Sequence, residues 1–161
     1  RFFGDDFPTP KPDKVGLNEV ARTILNSYDL HPSLIDKNRQ LVKEFETYVA
    51  DDVMVNTSPL LPELLNCLLD NADKYATDGT VLMSCHANND GTFAIAISNQ
   101  GQPIPASSAE YIFEPFVRLS TDEHSLGIGL PLARRLAMSM GYRPFLDVDY
   151  HDGVRFVVSG I

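Results

Sequence analysis

Apolar side chains recur at helical spacing through residues 61–76, where Leu61, Leu64, Leu65, Leu68, Leu69 and Ala72 make a single stripe. That period predicts an amphipathic helix buried against a sheet or a second helix. Pro62 suits its first turn, where a backbone N–H is not needed, and Ser58 is a candidate cap ahead of it. A first helix is expected to start at Asn18-Glu19, with Val20, Ile24, Leu25 and Tyr28 as its stripe and its end before Pro32. Leu34 and Ile35 either prolong it or form a separate turn. The pattern predicts another long helix from near Gly127, turning Leu130, Leu132, Ala133, Leu136, Ala137 and Met140 inward and ending at Gly141.

Between these helices the period changes from 3.6 to 2. Residues 40–50 alternate, with Leu41, Lys43, Phe45, Thr47 and Val49 on one side and Val42, Glu44, Glu46 and Tyr48 on the other. Asp51-Asp52 should turn the chain into a short strand around Val53-Met54-Val55. Residues 80–87 and 92–98 read as a hairpin closed by Asn88-Asn89-Asp90-Gly91, residue types that accept the positive φ of a tight turn. Two closing strands, 143–149 and 154–159, meet at His151-Asp152-Gly153. Residues 100–126 lose all periodicity, and a connection of that length reads as a functional lid. Residues 1–14, with Pro8, Pro10 and Pro12, read as a lead-in or linker to a single domain over 15–161. The expected architecture is α/β (α+β), a two-layer sandwich with an open mixed sheet covered on one face by helices.

Composition narrows the function. The 161 residues are 43% hydrophobic, enough for one packed domain. A net charge of −9 without a basic stripe argues against nucleic-acid binding. The two cysteines, Cys67 and Cys85, lack zinc or disulfide-framework spacing and point to a reducing compartment. No apolar run is long enough to cross a bilayer, so no membrane contact by this chain is expected, although a longer parent could carry an anchor.

Candidate chemistry sits at the ends of these elements. Cys67, Asn71 and Lys74 follow one another by one turn along the border of the long stripe, where a packed scaffold can hold groups facing a cavity. In isolation they would equally fit the wet side of a core helix. Asn99-Gln100-Gly101 at a strand end can receive an exocyclic amine while the backbone closes over a flat ring, or can be an Asx turn. Gly127-Ile128-Gly129 opens a helix where free N–H groups favour phosphate oxygens, or where close helix packing needs small residues.

In this order the segments resemble the ATP-binding catalytic domain of sensor histidine kinases, within the superfamily of gyrase-type, Hsp90-type and MutL-type ATPases. Leu68 to Tyr75 is similar to the family's asparagine box, Asn99 to Pro105 to its first glycine box, Ile112 to Arg118 to its phenylalanine box, and Gly127 to Leu130 to its second glycine box. The resemblance implies a mostly antiparallel Bergerat-type sheet and a site for ATP and Mg²⁺. It implies Asn71 as the Mg²⁺ ligand, Lys74 and Tyr75 at the phosphates, Asn99 and Gly101 at adenine, and Arg118 reaching a phosphate from the lid. Asn71, Lys74 and Arg118 form the implied catalytic set. Ile104, Ser125, Leu126, Gly127, Gly129 and Leu130 complete the nucleotide contacts, and Phe113 and Phe116 anchor the lid by burial.

The departures carry information as well. Cys67 stands where this family usually has Asn and gyrase-type relatives have a catalytic Glu, and a thiol is a poor magnesium ligand and no carboxylate base. Asn99 replaces the usual Asp but keeps an acceptor oxygen. Ser125-Leu126 replace Gly-Thr, and Asp73 adds a negative charge where an apolar residue is usual. None of His31, His86, His124 and His151 has the helical setting of a phospho-acceptor. The acceptor is therefore expected on a separate dimerisation domain, with a response regulator downstream and a cytoplasmic location under an inner-membrane parent. The rival readings are a degenerate kinase-like module that binds nucleotide or a partner without transfer, and an anti-sigma-type serine kinase.

Overall fold

The strand at residues 41–47 enters a sheet whose next strand in space lies beyond the long helix in sequence, and this crossover determines the layout. The computed structural model describes residues 13–30, 40–114 and 129–161. Its elements run β1 (Asp13–Gly16), α1 (Leu17–Ser27), β2 (Leu41–Thr47), β3 (Met54–Thr57), α2 (Leu61–Tyr75), β4 (Gly79–Ala87), β5 (Phe93–Gln100), a 3₁₀ turn (Ala106–Ser108), α3 (Gly129–Ser139), β6 (Arg143–Leu146) and β7 (Gly153–Ser159). The main sheet has the order β2-β4-β5-β7-β6, and β1 and β3 form a separate two-stranded sheet. β2 pairs with β4 in parallel, whereas β4, β5, β7 and β6 pair antiparallel. The expected mixed, mostly antiparallel sheet is thus present.

Register decides which side chains meet the helices. Phe45 lies opposite Met83, Met83 opposite Ile97, and Ile97 opposite Phe156, which makes one cross-strand row. A parallel row runs from Lys43 through Val81 and Asn99 to Val154. Met83, Ile97 and Phe156 are buried with Leu64, Leu65, Leu68 and Leu69 of α2 and Ala133, Leu136 and Ala137 of α3 in one core. Each leucine contributes about 1.5–3 kcal/mol over an exposed position. On the opposite face Val42, Glu44, Glu46 and Tyr48 of β2 and the residue after it are exposed, as the alternation predicts.

Several local expectations change. Asn18 does not start α1; Gly16 is the N-cap, without a side-chain bond, and Leu17 N–H donates to the Val53 carbonyl at 3.1 Å. Asn18 is buried and ties the helix to the β2–β3 connection instead. Its amide donates to the Val49 carbonyl at 2.8 Å and Asp51 at 2.9 Å, and its oxygen accepts from the Thr47 hydroxyl at 2.7 Å. Ser58 is not the cap of α2 either, since Leu60 holds that position; the Ser58 hydroxyl accepts from Leu60 N–H in the turn ahead. The short strand after Asp51-Asp52 runs from Met54 to Thr57 and pairs with Asp13–Gly16, whose first two residues fall in the segment read as a lead-in. The strand from Arg143 stops at Leu146. Gly141, at φ +78°, closes α3: its N–H donates to the Met138 carbonyl and that of Tyr142 to Ala137, the paired bonds of a Schellman motif.

Candidate active site

The long helix and the exit of β5 come together at their C-terminal ends. Leu61, Leu64, Leu65, Leu68, Leu69 and Ala72 are all buried, which fixes the rotation of α2 and leaves Cys67 and Asn71 half-buried at the border and Lys74 exposed. Glu63 in the first turn and Lys74 in the last each complement the helix dipole. After Tyr75 the chain turns, and Thr77 N–H donates to the Gln100 carbonyl at 2.9 Å, so the end of α2 is bonded to the end of β5.

Asn99 follows from period two. It shares the helix-facing side of β5 with Ile95 and Ile97, so a carboxamide stands where the apolar row reaches the sheet margin. Asn99 is 2% exposed, and its amide nitrogen donates to the Gln100 carbonyl at 3.1 Å. A Cβ on Gly101 would lie 3.0 Å from the Tyr75 carbonyl oxygen and 3.4 Å from Asn99 Nδ2. The first glycine turn is therefore seated against the last helical residue of the asparagine box. Gly153 serves the other side of the same strand end: a Cβ there would come 2.0 Å from the Asn99 carbonyl, so β7 can approach only as glycine.

Beyond Gly101 the chain stays near the core. Ile104 is half-buried and packs against it, and Ile112 and Phe113 are buried. Phe113 meets Phe156 edge-on at 5.9 Å between ring centroids, in accord with an anchoring role by burial. Gly129 opens α3, and Leu130 is half-buried against the core. Phe116, Arg118, Ser125, Leu126 and Gly127 lie outside the described residues, as do His31 and His124. His86 lies on β4, stacked on Tyr48 at 5.1 Å, and His151 lies in the turn before β7.

One acidic group departs from the expectation, and one thiol agrees with it. Asp73 does not add its charge beside the site: it is buried on the α1 side, with Oδ2 3.1 Å from the Tyr28 hydroxyl, which also donates to Asp70 at 2.6 Å. Burial, reinforced by those two carboxylates, pushes the Tyr28 phenol far above its ordinary range, so it remains a donor. Tyr28 was legible in the sequence only as the last apolar position of the first helix; nothing in its spacing announced the hydroxyl's role. The Cys67 thiol is pushed up to about 12, first by burial and then by the nearby charges of Asp70 and Glu63. It is therefore a neutral thiol, neither a base nor an anionic ligand.

The residues in place fit a magnesium-bound nucleotide. Asn71 offers a hard amide oxygen on the half-buried border, and the absence of a Cβ at Gly101 lets its turn sit close to the Tyr75 carbonyl and Asn99.

Comparison with known proteins agrees with this geometry. The chain is 29% identical over 133 residues to the sensor protein BasS of Salmonella typhimurium, covering 83% of this chain and 36% of that protein. It spans about a third of the length of such relatives. Its fold matches the nucleotide-free catalytic domain of the histidine kinase ThkA with a TM-score of 0.74 at 21% identity, covering 92% of this chain and 94% of that one. Full-length ShkA in complex with AMPPNP matches with a TM-score of 0.74 at 19% identity over 99% of this chain and 33% of that one. The model of the histidine kinase-, DNA gyrase B- and HSP90-like ATPases matches residues 56–159, a span that holds the long helix and the segments from Asn99 and from Gly127, and the chain belongs to that family.

Proposed function

We propose that this domain binds Mg-ATP and donates the γ-phosphoryl group to a histidine on a partner dimerisation domain, as the catalytic module of a cytoplasmic sensor histidine kinase that serves a response regulator. The single observation that carries the reading is the seating of Gly101 against the Tyr75 carbonyl and Asn99, which joins the base-recognising turn to the phosphate-facing helix. Asn99 accepts the adenine amine and Gly101 lets the backbone lie close to the ring. Asn71 contributes its amide oxygen to magnesium, and Lys74 and Tyr75 approach the phosphates from the last turn of α2. Arg118 and the second glycine box, Ser125 through Leu130, complete the phosphate side. Magnesium, when bound, spreads the charge that develops on the transferred group. Phe113 is held by burial against Phe156, edge-on at 5.9 Å. Because the chain supplies positioning and charge rather than a base, transfer depends on the partner's histidine as nucleophile.

The neutral thiol at Cys67 favours a second reading, a module that binds nucleotide without efficient transfer. One experiment separates them. The domain is mixed with radiolabelled ATP, magnesium and its parent helical hairpin. Labelled hairpin is the expected result, nucleotide binding without label supports the second reading, and no binding at millimolar ATP overturns both.

A further inference from the structure

We propose that Tyr28 is a positioning residue for the nucleotide edge of α2, acting by holding the carboxylates of Asp70 and Asp73 on the α1 flank; this rests on the nucleotide-binding reading above. The buried Tyr28 hydroxyl lies 2.6 Å from Asp70 Oδ1 and 3.1 Å from Asp73 Oδ2. A phenol has one proton, so the shorter bond carries it and Asp73 occupies the second branch. The two acids are one turn apart, and each immediately precedes a residue assigned to the ligand: Asp70 before Asn71, Asp73 before Lys74. Successive helical side chains differ by about 100° in direction. Within the rotation set by the buried leucines, the bond to the acidic stripe therefore adds a restraint on the neighbouring Asn71–Lys74 edge.

The phenol is itself held firmly. Lys43 of β2 donates its ammonium to the carbonyls of Tyr28 at 2.5 Å and Leu25 at 3.0 Å, so the end of α1 is tied to the sheet. Three elements thus converge on this residue: α1 supplies it, β2 fixes its backbone and α2 receives its proton. The buried charge of Asp73 stays beside α1, away from the side of the helix that receives a triphosphate. Without the hydroxyl the two carboxylates lose this hydrogen bond, and their side chains are held less firmly on the α1 flank, away from the phosphates.

The test is calorimetric titration of ATP, with and without magnesium, into the wild-type chain and into Tyr28→Phe, in both the native and the Asp70→Asn/Asp73→Asn backgrounds. Tyr28→Phe is expected to weaken Mg-ATP binding roughly three- to tenfold in the native background and to change it little once both acids are amides, as coupled groups require. Thermal melting of each variant reports any structural loss separately. Asp70→Asn alone keeps an acceptor for the phenol while removing a charge, and is expected to bind at least as tightly as wild type. Wild-type binding with an unchanged Tyr28→Phe affinity overturns the proposal, as does an equal loss in both backgrounds or weakened binding by Asp70→Asn. Absence of binding by the wild type overturns instead the nucleotide reading on which it rests.

Discussion

Replacing Gly101 by Ala places a methyl carbon 3.0 Å from the Tyr75 carbonyl oxygen and 3.4 Å from Asn99 Nδ2. A comfortable carbon–oxygen contact is about 3.4 Å, so something must move by a few tenths of an ångström. The obstructing atom is main chain, flanked by the bonds from Ala76 N–H to Ala72 and from Thr77 N–H to Gln100, both at 2.9 Å. It cannot swing aside as the tip of a side chain would. Overpacking of this kind costs about 1–3 kcal/mol. Relief by an outward shift of the Gly101 turn moves the backbone into the space assigned to the adenine ring. If the whole cost falls on binding, Mg-ATP affinity drops roughly five- to 150-fold. If it falls on folding, the midpoint drops by about 2–4 °C for each kcal/mol in a domain of this size. The expected result is a clear affinity loss by calorimetry together with a melting curve that remains cooperative. Wild-type affinity and wild-type melting together would refute the close seating of this turn on the helix end.

Other expectations follow from the same site. Asn71→Ala should remove most of the magnesium dependence of nucleotide binding while leaving a magnesium-independent component; calorimetry with and without the ion measures it, and an unaltered dependence removes Asn71 as ligand. Cys67 should resist alkylation. With its thiol pushed up to about 12 against an ordinary value of 9.0, burial favours the neutral form and the thiolate appears only as pH rises toward that value. At pH 8 the thiolate fraction is then roughly one in ten thousand instead of one in ten, and iodoacetamide labelling followed by intact mass should be correspondingly slow. Rapid single labelling of folded protein at Cys67 would contradict this.

Sequence made the long-range plan legible where one physical signal dominated. The leucine period of α2 specified its buried face because nothing else competes for those positions, and Gly91, at φ +86°, closes the hairpin that its Asn-Asn-Asp-Gly run predicted. The alternation from Leu41 to Tyr48 gave the correct faces of β2 even with lysine and glutamate among them. Asn71, Lys74, Asn99 and Gly101 were singled out because the segments that resemble the family's boxes occur in order. What escaped depended on partners distant in sequence. Asp13–Gly16 is a strand because Met54–Thr57 lies beside it, whereas the composition up to Lys14 reads as a linker. Asn18 looks like a cap until the Val49 carbonyl and Asp51 arrive to bind it. Asp73 looked like a charge at the phosphates because its helical angle relative to α1 is not written in α2 alone.

The parallel pairing of β2 with β4 brings Leu41 beside Gly79, and the chain between them includes the asparagine-box helix. Such a crossover closes a long loop before its contacts compensate the entropy lost, which slows folding. Because the end of α2 is bonded to the end of β5, denaturant should abolish ligand recognition and β-structure in a single concerted transition.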